Sequence, residues 1–116
     1  MRISVQVAVG GAILAGGGSA LDAVEAAAVS LEDCPLFNAG RGAVFAAGGG
    51  QELDAAIADG GSRRVGGIAA GTRPKSSIRM ARAVMERTPD VLLVGSGADI
   101  AAERLGMEMA DRSWFR

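Results

Sequence analysis

An α+β domain, with helices layered on a sheet that has an antiparallel part, is the fold class this sequence predicts. Three observations predict it. Two alanine-rich helical patterns stand together at the front; three short apolar runs separated by glycines occupy residues 42 to 70; helix, strand and helix follow. Aromatics make up only 3% of the chain while glycines number 18, so small side chains must fill the core and the layers must approach closely.

Each element has its own warrant. Residues 3–15 are largely apolar and close on Gly16-Gly17-Gly18, which reads as a helix. The alternating β-branched residues Ile3, Val5, Val7 and Val9 leave a strand open there. Ser19, three residues before Asp22, starts a second helix in the manner of a capping box. Leu21, Val24, Ala28 and Leu31 give that helix one apolar stripe, with Asp22, Glu25 and Glu32 off it. Pro35 bars continuation. Gly42 to Ala47 and Glu52 to Asp59 read as strands joined through Gly48-Gly49-Gly50, and Arg64 to Ala70 as a third. Ser76 or Ser77 caps a helix carrying Ile78, Ala81, Val84 and Met85 on one face and ending before Pro89. Val91 to Val94 is a short buried-type strand, and Ala98 to Leu105 a last helix stopped by Gly106. The tail from Met107 has no regular pattern and carries the sole tryptophan, Trp114.

Composition narrows the function. Twelve basic and 13 acidic residues give a net charge of −1, with no basic stripe to suggest a nucleic acid or membrane surface as partner. One cysteine, Cys34, excludes an internal disulfide and favours a reducing, cytoplasmic setting. Five glycines in the apolar front segment argue against a signal peptide. No histidine is present, which removes Ser-His and Cys-His pairs and the commonest zinc sites.

Four motifs invite chemistry. VLLVGSGADI, Val91 to Ile100, mimics the opening of a dinucleotide-binding fold, but Ile100 stands where a third glycine belongs; a tight strand-to-helix turn explains it better. Thr72 after Gly71 could become an N-terminal nucleophile on cleavage, yet Arg73-Pro74 places it in a loop, so a turn threonine is preferred. Asp54 and Asp59, five apart, fall on opposite strand faces and make no metal pair. Cys34 reads as a small buried hydrophobe. The loop LEDCPLFNAGRGAVF is either a plain connector with Leu36 and Phe37 in the core, or a rigid loop whose main-chain oxygens face inward on a cation.

GGSALDAVEAAAVSLEDCPLFNAGRGAVF, ELDAAIADG and ARAVMERTPDVLLVGSGAD together resemble the isoaspartyl peptidase/plant-type L-asparaginase family of N-terminal nucleophile hydrolases, in register over about Ala12 to Ala101. The resemblance implies an αββα sandwich, incomplete in this chain, with residues 1–116 as part of an α subunit of one domain. It also implies a precursor that cuts itself before a threonine, so the nucleophile and the substrate-binding residues would lie outside this chain, in a β subunit assembled as (αβ)2. The substrate would be L-asparagine or an isoaspartyl dipeptide. The loop is similar to the family's stabilisation loop. Carried over by position, the main-chain carbonyls of Leu31, Glu32, Cys34, Phe37, Ala39 and Arg41 would bind a structural sodium ion, with no other cofactor, and Asn38 would lie beside the nucleophile. The initial strand, the His-Gly-Gly segment and the Gly-Thr cleavage motif have no counterpart here, and Ser76-Ser77 replaces Asn-Pro. A catalytically inert module of the same fold, a glycosylasparaginase-like relative and a small nucleotide-binding fragment are the alternatives. The DNA beyond Arg116 would discriminate the first. The chain alone is expected to be inactive and to self-associate through uncovered sheet.

Overall fold

The computed structural model describes residues 3–115. Helix α1 spans Ile3–Ala15 and α2 spans Ala20–Glu32. The alternating β-branched run is thus helical: α1 satisfies its own backbone and packs along α2. The two helices approach closely at Gly10, where a Cβ would stand 3.2 Å from the Ala23 carbonyl oxygen. The Gly18 amide closes the end of α1 on the Ile13 carbonyl at 2.8 Å. Ser19 caps α2 by accepting the Asp22 amide at 3.0 Å.

The expected stripe of α2 is corrected. Val24 is 53% exposed, whereas Leu21, Ala28 and Val29 pack on the core and Ala23 is buried. The helix lies between α1 and the third helix, so it buries two sides rather than one. Glu32, expected on the polar side, is buried.

Strands β1 (Leu53–Asp59), β2 (Arg64–Gly71) and β3 (Leu92–Val94) form one sheet in that order, β1 antiparallel and β3 parallel to β2. Ile57 pairs with Gly66 and Ala55 with Ile68, while a register shift lies between Leu53 and Ala55. The antiparallel connection is therefore the 60–63 turn, held by the Asp59 carboxylate accepting the Ser62 hydroxyl at 2.7 Å. The strand expected over Gly42 to Ala47 does not form. Gly40–Gly42 is a 3-10 turn, the Val44 amide is taken by Asn38, and Ala46 closes a turn on Gly50 at 2.7 Å. Those backbone groups are spent locally instead of on a ladder.

Helix α3 (Ser77–Arg87) covers one face of the sheet. Ile78, Ala81 and Met85 meet Ile57 and α2, while Met80, Ala83 and Val84 meet Ile68, Ala98 and Ala102. Contact with β2 is closest at Gly66, where a Cβ would lie 2.6 Å from the Met85 amide nitrogen. Helix α4 (Ser96–Arg104) starts two residues earlier than expected, after Gly95 at φ +58.

The other face of the sheet carries Ala56, Ala58, Val65, Leu92 and Val94, all exposed. The register places Ala58 beside Val65, and Ala56 and Leu92 on either side of Gly67. The tail is pinned rather than irregular. Met109 bridges to Pro74, the Lys75 amide bonds the Glu108 carbonyl at 3.0 Å, and Phe115 is buried. Among the described residues, no helix is long and apolar enough to cross a membrane.

Candidate functional site

The end of α2 and the loop after it build the site. Asp33 and Cys34 close the helix on the Val29 and Leu31 carbonyls. The chain then coils on itself: the Cys34 carbonyl accepts the Phe37 amide at 3.3 Å, Phe37 accepts Ala39 at 2.9 Å, and Ala39 accepts Gly42 at 3.0 Å. Two glycines allow the coil to close. Gly40 has φ +52, and a Cβ there would stand 2.5 Å from the Glu32 carbonyl oxygen. A Cβ on Gly42 would overlap the Phe37 carbonyl oxygen and reach 2.8 Å from that of Pro35. Carbonyls of three loop residues therefore crowd the Gly40–Gly42 turn.

Leu36 and Phe37 are not core anchors. Leu36 is 75% exposed and Phe37 half-buried, because the loop turns its apolar side chains towards a cleft of about 910 Å³ shared with Val5 and Val29. Cys34 is half-buried in that cleft rather than enclosed.

Asn38 is exposed and accepts the Val44 amide on Oδ1 at 2.9 Å. It lines a second cleft, of about 440 Å³, together with Gly40, Val44, Glu52, Asp54 and Ser77. Asp54 is fixed there by the Ala70 amide at 2.7 Å, and Ala70 itself sits at φ 55. Asp59 stays in its own turn at the far end of β1, its pKa held down by the Ser62 hydroxyl and the Gly61 amide. The two aspartates do not meet. Among the described residues no group of three or more His, Cys, Asp or Glu side chains could hold a metal ion.

Two carboxylates matter more than the sequence suggested. Glu32 reaches from α2 to the start of α3. Its Oε2 accepts the Ser77 amide at 2.7 Å and the Ser77 hydroxyl at 2.9 Å, and its Oε1 accepts the Ser76 hydroxyl at 3.0 Å and the Ile78 amide at 3.3 Å. A signal existed: Glu32 follows Leu21 and Ala28 by eleven and four residues, the spacing of one helical face. Asp99 accepts the Thr72 amide at 2.9 Å, the Thr72 hydroxyl at 2.6 Å and the Arg73 amide at 3.1 Å. Thr72 is thus a loop residue directly after β2, tied by its peptide N–H. The same carboxylate sits in the first turn of α4, where a phosphate would have to approach. Trp114 lies beneath two cations, Arg41 at 4.6 Å and Lys75 at 4.2 Å from the ring centre, so the tail covers the loop.

Arg82 joins α2 to α3, bonding Asp22 at 2.8 Å, Glu86 at 2.7 Å and Glu25 at 2.5 Å. The bond from Arg82, then that with Ser19, holds the Asp22 carboxyl below its usual range, and Asp22, Glu86 and Glu25 raise the Arg82 guanidinium. A depressed carboxylate stabilises the fold above its unfolded pKa, and that contribution is lost as pH falls through the folded pKa. The urea midpoint is therefore expected to drop between about pH 5 and pH 2, and less steeply in D22N than in the parent. Equal pH slopes in the two would count against the Arg82 junction.

The Asparaginase family model matches residues 2–116. The chain is 43% identical over 113 residues to "Isoaspartyl peptidase" of Escherichia coli (strain K12), covering 97% of this chain and 35% of that protein. It is 49% identical over 90 residues to "Plant-type L-asparaginase" of Pyrobaculum calidifontis, covering 78% of this chain and 30% of that one. To "Isoaspartyl peptidase/L-asparaginase" of Homo sapiens it is 46% identical over 99 residues, 85% of this chain and 32% of that one. The chain thus spans about a third of the length of the curated relatives it matches. The family match spans the helix, the coiled loop and the strand that build the Asn38 cleft, and the chain belongs to the asparaginase family that holds the isoaspartyl peptidases and plant-type L-asparaginases.

Proposed function

We propose that this chain is part of the α-subunit region of a hydrolase that cleaves β-aspartyl amide bonds, in L-asparagine or isoaspartyl peptides, with an N-terminal threonine nucleophile outside residues 1–116. The observation that carries this reading is the coiled loop between α2 and β1, closed on two glycines and presenting Asn38 at the rim of a cleft. The relatives' names supply the reaction class.

The uncovered sheet face supports the αββα sandwich. Small apolar side chains at Ala56, Ala58, Val65, Leu92 and Val94 suit a second sheet stacked about 10 Å away. In this reading the β subunit brings that sheet, the whole protein is an (αβ)2 assembly, and it works in the cytoplasm. The residue donors also suit a hard monovalent cation. The main-chain carbonyls of Leu31, Glu32, Cys34, Phe37, Ala39 and Arg41 would hold a sodium ion, since carbonyls that accept one N–H keep a second lone pair. The ion would supply rigidity, not chemistry.

The threonine's own α-amine would take the proton of its hydroxyl as that oxygen attacks the side-chain carbonyl carbon. Ammonia or the peptide amine leaves with that proton, and water then hydrolyses the acyl-enzyme. Asn38, braced on the Val44 amide, would fix the backbone beside the nucleophile. The test is to co-express residues 1–116 with the whole of the Escherichia coli relative that this chain does not cover, and to follow ammonia from L-asparagine and amine from a β-aspartyl dipeptide. The chain alone should be inactive, the pair active, and N38A slower by about 10²-fold, the effect of misplacing reacting groups by an ångström. Turnover by the chain alone, or an N38A pair as fast as the parent, would overturn the proposal.

A further inference from the structure

The Glu32 carboxylate is the most heavily bonded side chain of the site, and no catalytic step uses it. It is 5% exposed, and both oxygens are filled, each by two donors. All four donors come from the first residues of α3 and its cap, Ser76 to Ile78. The other end of the same residue belongs to the loop: its carbonyl oxygen and Cβ lie 2.5 and 2.8 Å from where a Cβ on Gly40 would stand. One residue therefore touches the end of α2, the start of α3 and the tightest point of the coil. Ser77, its principal donor, also lines the Asn38 cleft.

Ser77 supplies two of the four donors, its amide and its hydroxyl. A proline at position 77 would have neither the N–H nor the hydroxyl that fills Oε2. The serine pair thus holds Glu32 from two positions and leaves the carboxylate one setting along the α3 axis. The carboxylate and the carbonyl that faces the coil belong to one residue, so the bonds that seat the side chain on α3 also restrain the end of α2 from which that carbonyl projects.

We infer that Glu32 is a positioning residue whose buried carboxylate, seated on the N-terminus of α3 by Ser76 and Ser77, sets the cation affinity of the loop. This rests on the proposed cation loop. Linkage makes the effect reciprocal: the ion steadies α3 by as much as α3 favours the ion. A lost partner behind a metal ligand commonly costs 10- to 100-fold in affinity.

The experiment titrates NaCl into the 116-residue chain, with choline chloride holding ionic strength constant. Two readouts are followed at fixed protein concentration, Trp114 emission and the melting midpoint. Trp114 is a local reporter because it stacks on Arg41 of the loop and on Lys75 beside Ser76. In E32Q one oxygen becomes an NH₂ group facing hydroxyl and amide donors, so the Na⁺ midpoint should rise at least about 10-fold. In S77A, which keeps three of the four bonds, it should rise a few-fold. V84A removes buried volume elsewhere on α3 and serves as control: its melting midpoint falls while its Na⁺ midpoint stays within about twofold of the parent, as additivity between separate sites requires. An E32Q chain that shares the parent's Na⁺ midpoint would overturn the inference alone. A parent chain blind to Na⁺ in both readouts would overturn the cation loop, and the inference with it.

Discussion

G66V is expected to abolish the cooperative fold of this chain. The Gly66 position faces α3, and even a methyl there would meet the Met85 amide nitrogen and Cβ at 2.6 Å and the Ala81 carbonyl oxygen closer still. Two of these three atoms are helix backbone, so no rotamer change relieves the clash and α3 must lift from the sheet. That lift would open both core clusters, which share α3. Overpacking a core costs about 1–3 kcal/mol and occasionally more, and α3 is the principal cover of β1 and β2. G66A is therefore expected to cost about 3 kcal/mol, and G66V more than a small domain with a whole sheet face uncovered can lose. Gly67 is the internal control. It faces the other way, and a Cβ there would come no closer than 3.2 Å to the Ala55 carbonyl oxygen, so G67A should cost about 1 kcal/mol or less. Near-UV circular dichroism and urea unfolding check the series; a G66V chain melting cooperatively within a few degrees of the parent would contradict the packing described.

How much of this was legible beforehand differs by element. The helices were readable because caps and periodicity are local: Ser19 and Ser76 do cap, and Gly17-Gly18 and Gly106 do terminate. β1, β2 and β3 were readable from apolar runs between glycines. The false strand at Gly42 to Ala47 has the composition of a strand, but Asn38 takes the Val44 amide from six residues away. Burial of Glu32 was missed because a glutamate in a helix reads as polar unless its partner is known, and its partners lie 44 to 46 residues on. Asp99 was missed for the same reason, its donors standing 26 and 27 residues back. The tail was misjudged because bridging Met109 to Pro74 needs the sheet already in place. The coiled loop was legible only as a mixture of proline, glycines and apolar residues that a flexible linker would not need. Its carbonyl arrangement depends on backbone angles that residue types do not fix.

G42A is expected to spring the coil. By propensity alone the substitution should help, since Gly42 does not have a left-handed φ and alanine there would lower the entropy of the unfolded chain, worth about 0.4–1 kcal/mol. The structure reverses the sign. The new Cβ would occupy the space of the Phe37 carbonyl oxygen, so Phe37 and Pro35 must swing away together. Four consequences are tied: the Ala39–Gly42 backbone bond is strained, the Phe37 carbonyl leaves the proposed ion, Arg41 shifts on Trp114, and the Asn38–Val44 bond loses its register. The expected cost is about 2–3 kcal/mol, the upper part of the overpacking range, with a red shift of Trp114 emission and loss of the Na⁺ response. G48A separates this from any general effect of losing a glycine. Gly48 has an ordinary φ and nothing within 4 Å of an added Cβ, so G48A should be neutral or slightly stabilising. Were the G42A and G48A chains to melt at the same temperature and emit alike, the loop could not be the closed coil on which the placement of Asn38 depends.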